Sequence, residues 1–107
     1  MKKGMIKVTV LYPNTEGKKF DMNYYLDHHV PLVSSSLGDP LQAASYESGL
    51  AGGAPGSPDP FVACASLFFN NMEEFGQAFA AAAGTLMADL PNFTDIEPVI
   101  QISEVMA

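Results

Sequence analysis

Phe61-Val62-Ala63-Cys64-Ala65-Ser66-Leu67-Phe68-Phe69 is an almost uninterrupted apolar run, and its length and lack of alternation mark a strand covered on both faces. It emerges from Ala51-Gly-Gly-Ala-Pro-Gly-Ser-Pro-Asp-Pro60, where Gly and Pro stand too densely for regular pairing, so residues 51–60 read as a flexible loop. Downstream, Asn71 with Glu74 three residues on reads as a capping box, and Glu73 adds favourable charge at a helix start. A long helix is predicted to follow. Met72, Phe75, Phe79, Ala82, Leu86 and Leu90 keep the helical period, and the alanines among them permit close packing on a sheet.

Working outward, residues 41–50 make a weaker strand with Tyr46 near its middle. Residues 4–12 alternate, with Ile6, Val8 and Val10 on one face and Lys7 and Thr9 on the other, and Pro13, Asn14 and Gly17 then mark a turn-rich loop. Asp21 is placed to cap a second helix, with Phe20 and Tyr25 at staple spacing. Met22, Tyr25, His29 and Leu32 recur on one face of it. Pro31 lacks a backbone donor and disfavours helical geometry at Val30, so this helix is expected to kink or stop within a turn of His29. After Pro91-Asn92 a last strand is predicted from about Ile96 to Val105, with Ile96, Ile100 and Ile102 on one face and Val99, Gln101 and Ser103 on the other.

The order βαββαβ predicts one α+β domain over residues 1–107 with a ferredoxin-like plan. Right-handed crossovers put both helices on one face of a four-stranded antiparallel sheet. The other face is left bare. Yet the Phe61–Phe69 run is apolar on both sides, and Met5, Leu11, Val99 and Val105 stand among polar neighbours on that second face. Leaving such surface in water costs roughly 25 cal/mol per Å² of apolar area, so a second copy of the chain is the expected cover. Lys7, Thr9, Gln101 and Ser103 would then point into a space between sheet and helix or between two sheets, and a few polar groups in an apolar space describe a small-ligand site.

With 107 residues, 48% of them hydrophobic and 16% charged, the chain suits one globular core and argues against disorder. Twelve acidic against five basic residues give a net charge of -7, and the lysines are scattered, so nucleic acid is not an expected partner. Cys64 cannot form an internal bridge and reads as a small buried hydrophobe in a reducing compartment. No leader pattern and no membrane-length apolar run is present, so a soluble cytoplasmic protein is expected. Phosphate loops and Ser or Cys nucleophile motifs are missing, which leaves nucleotide cofactors unsupported.

Among chemistry-bearing residues His29 stands out, because one titratable ring on an apolar stripe can move a proton to or from a substrate enol, phenol or lactone. The plainer reading is a core histidine satisfied by a backbone carbonyl near Pro31. Tyr25, one turn earlier, could donate to a substrate oxygen or simply fill the helix–sheet seam. Tyr12, Thr9, Tyr46, Gln101 and Ser103 are polar strand residues that could orient a ligand or satisfy neighbouring backbone. His28 points about 100° from His29, beside Tyr24, and reads as solvent-facing. Adjacent helical residues diverge and there is no third histidine, so no metal site is expected. Asp95 and Glu97 read as solvated carboxylates.

Phe20-Asp21-Met22-Asn23-Tyr24-Tyr25-Leu26-Asp27-His28-His29-Val30-Pro31-Leu32 resembles the Phe-Asp…Tyr-Tyr…His-x-Pro-Leu segment of EthD-like proteins, small members of the dimeric α+β barrel superfamily. Tyr12-Pro13-Asn14 and Thr94-Asp95-Ile96-Glu97-Pro98-Val99-Ile100-Gln101 fit the same pattern, so the resemblance spans nearly the whole chain. It implies a homodimer with one pocket per subunit. It does not imply one reaction: the wider superfamily includes cofactor-free oxygenases, lactone isomerases, polyketide cyclases and haem-handling proteins, and EthD-like proteins are associated with degradation operons. Two function classes follow. One is a small enzyme, an oxidoreductase or an isomerase/cyclase, acting without a cofactor on a small hydrophobic or aromatic/polyketide-like compound, with haem on a single axial histidine as the cofactor alternative. The other is a non-catalytic ligand carrier or accessory protein of a degradation pathway.

Overall fold

The computed structural model describes residues 2–107. Strand β1 (Ile6–Pro13) leads into a helical rod, α1, made of Met22–Tyr24, a π turn over Tyr25–His29, and Val30–Leu37. Strands β2 (Ala43–Ser48) and β3 (Phe61–Phe69) follow, then α2 (Met72–Asp89), a 3-10 turn (Leu90–Asn92) and β4 (Val99–Glu104). The sheet is antiparallel throughout in the order β2-β3-β1-β4, the split arrangement that the βαββαβ order predicts. None of the helices among the described residues is long and apolar enough to cross a membrane.

Register fixes which side chains face the helices. Ile6 pairs with Phe69 and Val8 with Leu67, and these residues share a core with Val33 and Leu37 of α1 and with Phe75, Ala78, Ala82 and Leu86 of α2. Asn71 caps α2, its side chain accepting the Glu74 N–H at 2.8 Å and donating to the Glu74 carboxylate at 2.7 Å. Asp21 accepts the Tyr24 N–H at 3.1 Å and starts α1. Met72, expected on the apolar stripe, instead lies exposed at the first position of α2.

Of the kink or stop expected within a turn of His29, the structure has a local distortion and no stop: a π turn spans Tyr25–His29 and the helix runs on to Leu37. The Val30 N–H reaches back to the Tyr25 carbonyl, so the backbone takes one wide turn just before the proline that has no N–H to give. The turn also sets which residues are buried. Tyr25, His29, Val33 and Leu37 are spaced by four, a step that drifts about 40° in an α-helix. The wide turn takes back part of that drift and moves the stripe from the expected Leu32, half-buried here, to Val33.

One boundary and one loop also differ from expectation. β4 begins at Val99 rather than near Ile96, because Pro98 cannot donate to a ladder, and Ile96 is buried in a separate aromatic cluster. The Gly/Pro loop is free of strand pairing, but Gly52 donates to the Ser57 carbonyl and the Asn14 side chain donates to the Asp59 carbonyl, which hold it in shape.

The second sheet face carries Lys7, Thr9 and Leu11 of β1 against Phe68, Ser66 and Cys64 of β3, with Val99, Gln101 and Ser103 beyond them on β4. Both helices lie on the opposite side. Cys64 is therefore half-buried rather than in the core, and Lys7 lies over the Phe68 ring with its Nζ 6.0 Å from the centroid.

Candidate functional site

Between the π turn, the C-terminal half of α2 and the helix-side face of the sheet lies a cavity of about 60 Å³. The sheet makes room for it with small side chains: Tyr12 sits opposite Ala63, and both Val10 and Tyr46 sit opposite Ala65. His29, Tyr25, Tyr12 and Tyr46 line it, and the space runs outward past Met87, Pro98 and Ile100. Every other lining residue is apolar, and none is an Asp, Glu, Lys or Arg.

His29 is 6% exposed, and its Nδ1 lies 2.8 Å from Oδ2 of Asp89, the last residue of α2. The other carboxylate oxygen of Asp89 accepts the Tyr24 hydroxyl at 2.7 Å and the Asn92 amide at 3.0 Å. Partial desolvation pushes the Asp89 carboxyl up, but the hydrogen bonds from Asn92, Tyr24 and His29 outweigh it and hold it below its ordinary range. An ionised Asp89 must receive a proton from Nδ1, so the neutral imidazole carries N–H at Nδ1 and a lone pair at Nε2. This is the carboxylate-oriented histidine found where a base must be held in one tautomer.

An aromatic shell fixes the ring. Tyr25 stacks nearly parallel to it with centroids 5.7 Å apart, and Phe93, fully buried, lies 4.6 Å away. The Phe93 carbonyl accepts the Asp21 N–H at 2.8 Å, so the cap of α1 and the chain after α2 are pinned together around the histidine. Burial raises the Tyr12 hydroxyl well above the ordinary phenol range, with Tyr46 adding to the effect, and burial raises Tyr25 and Tyr46 likewise. All three are therefore neutral donors at any ordinary pH. The Tyr46 hydroxyl is shut off from solvent and has no hydrogen-bond partner among the described residues.

The structure divides the expected site residues, the catalytic candidates His29 and Tyr25 and the ligand-binding candidates Tyr12, Thr9, Tyr46, Gln101 and Ser103. His29, Tyr25, Tyr12 and Tyr46 come together, whereas Thr9, Gln101 and Ser103 stand on the opposite sheet face and do not join them. The period-two pleat is the reason: β1 turns Tyr12 toward the helices and Thr9 away, and Thr9 pairs with Gln101. Gln101 donates to Ser103 there at 3.1 Å. His28 is exposed and lies against Tyr24 with ring centroids 4.7 Å apart, as its place in the helix predicts.

Asp89 and Phe93 escape a reading by local pattern. The partner expected for His29 was a backbone carbonyl, and the structure supplies a carboxylate instead. One local signal does point to Asp89: an acidic side chain in the last turn of a helix opposes the macrodipole and needs a compensating partner.

Comparison with known proteins agrees with this architecture. The EthD domain model matches residues 15–97. The chain is 31% identical over 90 residues to an uncharacterized 11.0 kDa protein in the thcB-thcC intergenic region of Rhodococcus erythropolis, covering 83% of this chain and 84% of that one. An EthD-like protein from Ralstonia eutropha JMP134, solved by crystallography, superposes with a TM-score of 0.90 at 44% identity, covering 99% of this chain and 96% of that one. An EthD family protein from Bacillus halodurans C-125 shares the fold at a TM-score of 0.67 and 20% identity, over 95% of this chain and 99% of its own. Matched by the domain model over most of its length, and by the Rhodococcus and Ralstonia relatives over 83% and 99% of it, the chain belongs to the EthD family.

Proposed function

We propose that the protein catalyses a cofactor-independent proton transfer on a small, largely apolar compound, an isomerisation or cyclisation, with His29 as general acid/base. The observation that carries this reading is the 2.8 Å contact between His29 Nδ1 and Asp89 Oδ2 beside an apolar cavity. Asp89 holds the ring and stabilises the imidazolium that forms when Nε2 takes a proton. Tyr25, stacked on the imidazole and protonated, serves as a hydrogen-bond donor within the same cavity. A haem macrocycle does not suit a space of about 60 Å³.

The homodimer belongs to the same proposal. Leu11, Cys64 and Val99 share a sheet face that neither helix covers, and a second copy laid sheet to sheet removes it from water. Thr9, Gln101 and Ser103 then line the interface rather than the cavity.

The test is exchange of carbon-bound hydrogen for deuterium in D2O, followed by NMR over a panel of neutral ketones, enones and lactones. The expected result is catalysed uptake for at least one class, lost in His29→Gln while fold and oligomeric state persist. Uptake unchanged in that variant would end the role of His29. A second reading, a non-catalytic carrier in a degradation pathway, is favoured by the small size of the cavity, and it predicts a co-purifying molecule in native mass spectra that the protein leaves unaltered.

A further inference from the structure

We infer that Tyr46 is a substrate-recognising donor of the His29 cavity, and that the compound it recognises is an uncharged carbonyl compound with an apolar remainder. The inference rests on the proton-transfer reading above. Its starting point is the buried hydroxyl of Tyr46, which finds no partner among the described residues. A hydroxyl removed from water and left unpaired costs about 1–3 kcal/mol, so folds retain one where something else completes it. Tyr46 lines the cavity together with His29, and the Tyr46 ring packs edge-on against Tyr25 with centroids 6.0 Å apart. An acceptor oxygen on the occupant is the missing partner.

The cavity also states which acceptor suits it. No lysine or arginine lines it, and the chain has a net charge of -7, so a carboxylate or phosphate would enter without a counter-charge. Asp89 does not face the occupant with free negative charge, since both its oxygens are engaged by Tyr24, Asn92 and His29. A neutral carbonyl oxygen meets both conditions, and it is the group whose charge grows when a neighbouring proton leaves. In that step Nε2 of His29 takes a proton from the carbon beside the carbonyl. The C–H electron pair becomes a C=C bond, and the C=O π pair moves onto oxygen, where the Tyr46 O–H stabilises it. The imidazolium then returns the proton to another carbon of the conjugated system, the oxygen pair re-forms the carbonyl, and the isomer leaves. No oxidant, reductant or second reactant is needed. Donors aimed at such a developing oxyanion make one of the larger contributions to catalysis.

The dimensions agree with this occupant. On the measure by which a water needs about 10–15 Å³, a cavity of about 60 Å³ takes the reacting head of a molecule. The apolar remainder extends past Met87, Pro98 and Ile100, where the isoleucine is 42% exposed.

The experiment compares 4-fluorophenol with fluorobenzene, two probes of nearly equal shape of which one carries an oxygen, by fluorine NMR titration of the full chain. The expected result is roughly threefold to tenfold tighter binding of the phenol, the range of one net hydrogen bond. In Tyr46→Phe that preference should fall to about one, with fluorobenzene affinity unchanged. A preference that persists in Tyr46→Phe, or equal binding of the two probes by the native protein, overturns the assignment to Tyr46 and leaves the cavity reading intact. Failure of both probes to bind the native protein overturns the cavity reading itself, and this inference with it.

Discussion

Asp89 and His29 stand 60 positions apart in the chain, yet their side chains meet at 2.8 Å because the last turn of α2 lies beside the π turn of α1. An acidic residue at a helix C-terminus runs against the macrodipole, and the three hydrogen bonds it accepts are what compensate. This contact is the hinge of the functional reading, and its removal has two separable consequences.

The first is catalytic. Asp89→Asn keeps the shape but removes the charge that fixes the Nδ1–H tautomer and supports the imidazolium. Deuterium uptake should fall on the order of 10²–10⁴-fold, with a far smaller change in probe binding. Equal losses in uptake and in binding would make Asp89 a packing residue only.

The second is stability against acid. The Asp89 carboxyl is held below its ordinary value of 3.8, so the folded state favours the charged form more than the unfolded chain does. The stabilisation is complete above the ordinary carboxylate range and is lost as pH falls through the depressed folded value. Thermal melts of native protein and Asp89→Asn should therefore differ most at neutral pH and converge toward pH 2. A gap that widens on acidification would reverse the assigned sign.

Phe93 is the mechanical counterpart of Asp89. It is fully buried, and its ring contacts His29, Tyr25 and Phe20. Phe93→Ala should cost about 3–5 kcal/mol in denaturant unfolding, the usual range for emptying an aromatic core position. A cost under 1 kcal/mol would mean that the shell around the histidine is not packed as described.

The bare sheet face makes its own prediction. Leu11→Glu places a charge on that face without touching the helix-side core, so it should convert a dimer into a folded monomer in sedimentation velocity at micromolar concentration. A monomeric native protein under the same conditions would remove the dimer from the account.

What was legible in the chain was what short-range periodicity encodes. The unalternating Phe61–Phe69 run gave the central strand beside β1, and the capping residues Asp21 and Asn71 marked both helix starts. His29, Tyr25, Tyr12 and Tyr46 were found because each sits on the buried phase of its own element. The remainder depended on contacts between distant segments. Nothing local to Phe93 announces that it closes over a histidine on another helix. Thr9, Gln101 and Ser103 read as facing a space either between sheet and helix or between two sheets, because polarity on a strand does not say which face has a cavity behind it, and the pleat puts them on the face away from the helices. Pro31 marked a break in helical regularity near His29 but not its form, a wide turn that absorbs the missing donor and lets the helix run on.

The central claim is that Asp89 holds His29 with its proton on Nδ1 and its basic nitrogen free, and long-range nitrogen–proton NMR of the imidazole reads this directly. The expected spectrum of the neutral ring shows a protonated Nδ1 and an unprotonated Nε2 for His29, with that pattern weakened in Asp89→Asn. A His29 that carries its proton on Nε2 in the native protein would contradict the account.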